Sequence, residues 1–155
     1  MFFTNVQAQN KSNFEQNNSQ LIKQHPPKSR ILNEASTSIF VSKDGKIKLE
    51  YKIQVSQENE EETQEEYEKN PDRNTNDGFY GDGSEITQYL QGIIKINDVT
   101  YLVYGQYLAE GNFEAVIYYK NKKLYAIADW ILDGNNIIFN LKTEKEESKS
   151  ILFFH

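Results

Sequence analysis

The chain has no cysteine, only two histidines, one tryptophan and one methionine, and no long run of apolar residues. Without cysteine there can be no disulfide, no thiolate nucleophile and no cysteine-ligated zinc or iron–sulfur site. A transmembrane helix needs roughly 18 to 20 consecutive apolar residues, and no stretch comes near that, so no membrane span is expected. Scarce histidine matters because it is the usual base beside a hydroxyl nucleophile. His25 precedes Pro26-Pro27 in a polar stretch and His155 is the last residue, so neither stands where a catalytic base would serve. No catalytic residue is assigned, no enzymatic activity is expected, and no cofactor is implied.

What is present is enough to fold. At 155 residues with ten Tyr and nine Phe, the chain can bury one core and is short for two. Val and Ile are frequent in the second half, and with the aromatics they favour strands. Residues 1–30 read as a flexible lead-in and 31–155 as a single β domain. The first eight residues, Met1 to Ala8, are apolar at the start and carry small residues at Val6 and Ala8, as the end of an export signal would. A periplasmic or secreted protein is therefore expected, with a cytoplasmic one as the alternative. Within residues 12–25 a short helix is expected, capped by Ser12 with Glu15, with Phe14, Leu21 and Ile22 on one face, and stopped by Pro26-Pro27.

Ser38 to Val41 and Lys46 to Ser56 flank Asp44-Gly45, which predicts a hairpin with a type I′ turn. In its second strand Ile47, Leu49, Tyr51, Ile53 and Val55 alternate with Lys48, Glu50, Lys52 and Gln54, so one side is dry and the other wet. Further strands are expected at Ile86 to Ile96, Val99 to Leu108, Phe113 to Lys120, Lys123 to Leu132, Asn136 to Lys142 and Ile151 to Phe154, joined by short Asn-, Asp- or Gly-bearing turns. The fold class is mainly β: an antiparallel meander closing into an up-and-down, lipocalin-like barrel or curled sheet, with a short N-terminal helix. A β-sandwich and a five-stranded OB-type barrel are the alternatives.

Between the hairpin and the meander lies an acidic loop, residues 57–85, with net charge -9 from the eleven acids Glu58, Glu60, Glu61, Glu62, Glu65, Glu66, Glu68, Asp72, Asp77, Asp82 and Glu85 against Lys69 and Arg73. Such a loop can steer a basic partner. The alternating oxygen side chains of Asp72 to Gly78 resemble a calcium loop, but Asp77 and Gly83 stand where an EF-hand requires Gly and Glu, so no metal site is assigned. Glycine-rich Gly78 to Gly83 lacks the lysine of a phosphate loop. Tyr118 to Lys123 is a small basic patch, and a chain carrying so acidic a loop repels phosphates, so a nucleic-acid partner is not favoured.

The strands after Val99 are apolar on both faces. Val99, Tyr101, Val103, Gly105 and Tyr107 alternate with Leu102, Tyr104 and Leu108, while Leu124, Ala126, Ala128, Trp130 and Leu132 alternate with Tyr125, Ile127, Asp129 and Ile131. An antiparallel sheet with one wet face should not look so, and something is expected to cover the second face: the N-terminal helix, a ligand or another protein. Asp129, set among apolar neighbours, reads as a hydrogen-bonded acid inside the sheet. The leading expectation is a non-catalytic binding protein of the bacterial cell envelope that engages another protein, of the inhibitor or toxin-immunity type, through Glu61, Glu62, Glu65 and Glu66 and the aromatics Tyr101, Tyr107 and Tyr125. The alternatives are a carrier of a small apolar ligand in a barrel cavity lined by Tyr104 and Trp130, and an OB-type nucleic-acid-binding domain.

Overall fold

The computed structural model describes residues 12–27, 30–58 and 85–155. Two short helices, α1 (Asn13–Asn17) and α2 (Ser19–Gln24), precede eight strands: β1 (Arg30–Ser42), β2 (Ile47–Glu58), β3 (Glu85–Ile96), β4 (Val99–Ala109), β5 (Asn112–Tyr118), β6 (Leu124–Asp133), β7 (Asn136–Thr143) and β8 (Glu147–Phe154). Each strand pairs antiparallel with the next, and β8 returns to β1, so the sheet is a closed up-and-down barrel of eight strands. It is the barrel the meander predicts, and neither the sandwich nor the five-stranded alternative.

Local chemistry sets the turns. At Asn97 and Asp98 both φ angles are positive, as at Glu110 and Gly111, which is the type I′ signature. The β1–β2 turn differs from the expected I′ form: only Gly45 is left-handed, with its N–H donating to the Ser42 carbonyl at 2.9 Å. Asp44 is held instead by its side chain, which accepts from Ser42 Oγ at 2.8 Å and from the Lys46 N–H at 3.0 Å. Those bonds hold the Asp44 carboxyl below the usual carboxylate range, the Lys46 N–H contributing most. The expected single helix is two: the Ser12 hydroxyl caps α1 by accepting from the Glu15 N–H, but Asn18 leaves helical geometry at φ -116° and ψ 17°.

Large side chains pack the barrel interior. Trp130, Phe139, Leu49, Leu90, Ile94, Ile117, Ile137 and Leu152 are its largest wholly buried side chains. Small residues make room for them: Gly105, Ala115 and Ala128 lie side by side across β4, β5 and β6. Trp130 stacks on Phe113 with ring centres 5.5 Å apart and meets Tyr51 at 5.6 Å and Phe139 at 5.6 Å. Burial raises the Tyr51 hydroxyl pKa, against the opposing influence of the nearby Trp130 N–H. A barrel this size is filled by its own side chains when large and small residues alternate across it.

Candidate functional site

The last closing contact is short. β1 and β8 meet over three residue pairs, Phe40 with Phe154, Val41 with Phe153 and Ser42 with Leu152. The His155 N–H adds one bond to the Ile39 carbonyl at 2.8 Å. Below that seam, Glu147 to Ile151 pair with β7 on one side and with no strand on the other, among the described residues. The Thr143 N–H donates to the Glu146 carbonyl, which fixes the alternation of the ladder and turns the backbone groups of Glu147, Lys149 and Ile151 outward. The notch beside this free edge encloses about 1210 Å³, and its apolar lining comes from Ile47, Ile96, Tyr125, Leu141, Ile151 and Phe153.

The outer face of β6, β7 and β8 adjoins the same edge. Ile131, Ile138 and Ile151 lie directly opposite one another on three successive strands, and Phe153 follows Ile151 on the same face, paired with Val41. Ile131 is 39% exposed, Ile151 55% and Phe153 40%. A parallel row runs beside it: Glu114 opposite Asp129, then Asn140, then Lys149. Glu147 joins that row by accepting from Asn140 Nδ2 at 3.2 Å. Together with Glu110 these residues line a shallow concavity over Ile131 and Ile138. The site is thus an apolar ribbon bordered by four carboxylates and one lysine. No nucleophile–base pair exists in it, and among the described residues no group of His, Cys, Asp and Glu is arranged to hold a metal ion.

The residues singled out from sequence are divided by this geometry. Glu61, Glu62, Glu65 and Glu66 lie outside the described residues, as does the calcium-like run from Asp72 to Gly83. Tyr101 faces inward and is buried, and Tyr107 and Tyr125 pack against the interior cluster, so the three do not share an outer surface. Tyr125 turns inward because of a register shift between Ile117 and Tyr118, which pair with Ala126 and Leu124 and leave Tyr125 in the bulge. It stacks on Tyr101 with centres 4.2 Å apart, and both meet Tyr119. Tyr107 sits at the other end of the strand, against Phe113 at 5.1 Å, with its hydroxyl accepting from the Gly111 N–H.

Tyr104 and Trp130 do not face a common space: Trp130 is interior, and Tyr104 lies on the outside, 6.0 Å from Tyr118. Asp129 is exposed, not held inside the sheet, because strand parity sets it opposite to Trp130. The outer ribbon escaped sequence reasoning, although Ile131, Ile138 and Ile151 were visible as wrong-phase apolar residues. Their alignment depends on register, which a single strand does not carry. Comparison with known proteins finds no family model, no curated protein and no solved structure that this chain matches.

Proposed function

We propose that the chain is a non-catalytic binding protein whose partner is another, basic protein, engaged on the outer face of β6, β7 and β8. The observation that carries this reading is the solvent-open ribbon Ile131, Ile138 and Ile151 set beside the carboxylates of Glu114, Asp129 and Glu147. An apolar centre with a charged border is the usual make-up of a protein interface. The free β8 edge adds outward backbone donors and acceptors that an extended segment of the partner can pair with. The narrower form of the reading, an inhibitor or immunity protein of the cell envelope, draws on the signal-like start and the acidic loop. The carrier alternative draws on the open notch at the seam, lined by Ile47, Ile96, Tyr125 and Leu141.

The test places a photo-crosslinking residue at position 151, or at the exposed Lys48 as control, in the cell that makes the protein. A discrete protein adduct from position 151 alone is expected, and the purified partner should bind more weakly as salt rises. Ile151→Asp should abolish that binding while leaving the melting transition in place. Adducts only with lipid or small molecules, or equal labelling from both positions, would overturn the reading.

A further inference from the structure

Tyr89 and Val116 point outward by strand parity, yet they are 4% and 0% exposed. Among the described residues, what lies over this part of β3, β4 and β5 is α2 and the turn at His25. The cover is lightly held. Neither helix has a buried residue, and helices of five and six residues do not persist in water without packing. The contacts that secure it include three: the Tyr118 hydroxyl donates to the His25 carbonyl at 2.8 Å, Gln106 Nε2 reaches Gln24 Oε1 at 3.2 Å, and the His25 ring meets Tyr89 edge-on at 5.6 Å.

His25 is the plug. His25 is 3% exposed, and among the described residues neither ring nitrogen has a hydrogen-bond partner. A buried imidazole with no partner is stable only while neutral. Tyr89 faces it from β3 and Tyr118 from β5. Among the described residues, Glu114 of β5 accepts from Gln106 Nε2 at 2.7 Å, and Glu15 and Lys23 belong to the segment's own helices. Among the described residues, no carboxylate is hydrogen-bonded to the His25 ring to receive an imidazolium.

We propose that residues 13–27 cover the outer face of β3, β4 and β5 in cis and are released when His25 is protonated, which opens that face. The seated segment presents half-buried Leu21 and Ile22 and ends in the His25 ring set against Tyr89. This face centres on β3 and β4, and the Ile131–Ile151 ribbon on β6 to β8, with the outer face of β5 between them, so the two sites are tested by different substitutions.

Burial lowers the His25 pKa from 6.5 to about 4. The docked state binds the proton less readily than the released state, so docking is fully favoured above pH 6.5 and weakens as pH falls toward 4. Between pH 7.5 and 5 the docking equilibrium should fall roughly 30-fold.

The test offers a fluorescent peptide of residues 12–27 carrying His25→Phe to the full-length chain. Phenylalanine fills the same hollow and does not titrate. The peptide should bind more tightly at pH 5 than at pH 7.5, by up to about 30-fold, with amide exchange slowed at Val116 and Tyr118. A full-length chain carrying His25→Phe should show no such gain. Equal affinity at both pH values, no binding at either, binding mapped to another face, or a gain shared by both chains would overturn the proposal.

Discussion

Glu114 on β5 and Asp129 on β6 stand directly opposite each other on the outer face of the barrel. Like charges in that relation destabilise a sheet by roughly 0.2–1 kcal/mol, and the local cost is offset only in part by the Gln106 amide on Glu114, at 2.7 Å. Asp129→Asn should therefore raise the urea midpoint by an amount equivalent to about 0.5 kcal/mol, and should weaken a basic partner. A lower midpoint would show that Asp129 has a stabilising role that this geometry does not contain.

Gly92 is the most closely approached of the described glycines, since a Cβ built there would overlap the Glu50 carbonyl oxygen. Backbone cannot swing aside as a side chain can. Gly92→Ala should cost about 1–3 kcal/mol or more in urea unfolding, the range of overpacked cores. Gly45→Ala meets no neighbour within 4 Å but has φ +75°, so its cost should be conformational and smaller.

Trp130→Ala should cost about 3–5 kcal/mol, because the indole is enclosed by Phe113, Tyr51 and Phe139 and the hollow it leaves cannot collapse. The same variant should gain binding of a small aromatic probe inside the barrel, measured by calorimetry. The parent chain, in which the indole fills that space, should show none. Interior uptake by the parent would favour the carrier alternative.

The Tyr125 hydroxyl is pushed up to about 12, by burial first and then by the neighbouring Tyr101. The unionised form is thus the one the fold accommodates. Stability tied to it is complete below pH 10, the ordinary tyrosine value, and is lost as pH rises toward 12. Absorbance titration should show late-ionising tyrosines, Tyr51 and Tyr118 among them, and Tyr125→Phe should remove one tyrosine from that late phase.

Tyr118→Phe deletes the hydroxyl that donates to the His25 carbonyl and should weaken docking of the N-terminal segment by about 1 kcal/mol. Amide exchange in α1 and α2 should rise while the barrel's melting transition holds. A fall in the barrel transition itself would show that the segment is integral to the fold.

Several elements could be read from the chain because their signals are local. The alternation from Ile47 to Val55 assigns β2 its dry face, and Leu49 and Tyr51 are buried there. Asn97-Asp98, Glu110-Gly111 and Gly134-Asn135 mark turns because few residues accept a positive φ. The starts of β1 at Arg30 and β8 at Glu147 escaped notice, since strands of mixed polar residues owe their pairing to neighbours in space.

By itself the sequence determined the meander and its turns, the absence of cysteine chemistry, and the two-faced apolar character of the later strands. Tertiary structure decided which face is which. Closure of the sheet drew Tyr101 and Trp130 inside, the bulge at Tyr125 reversed that residue, and register aligned Ile131, Ile138 and Ile151 outside. The reason is physical: alternation records that a strand has two sides, but only pairing with distant strands establishes which side water can reach.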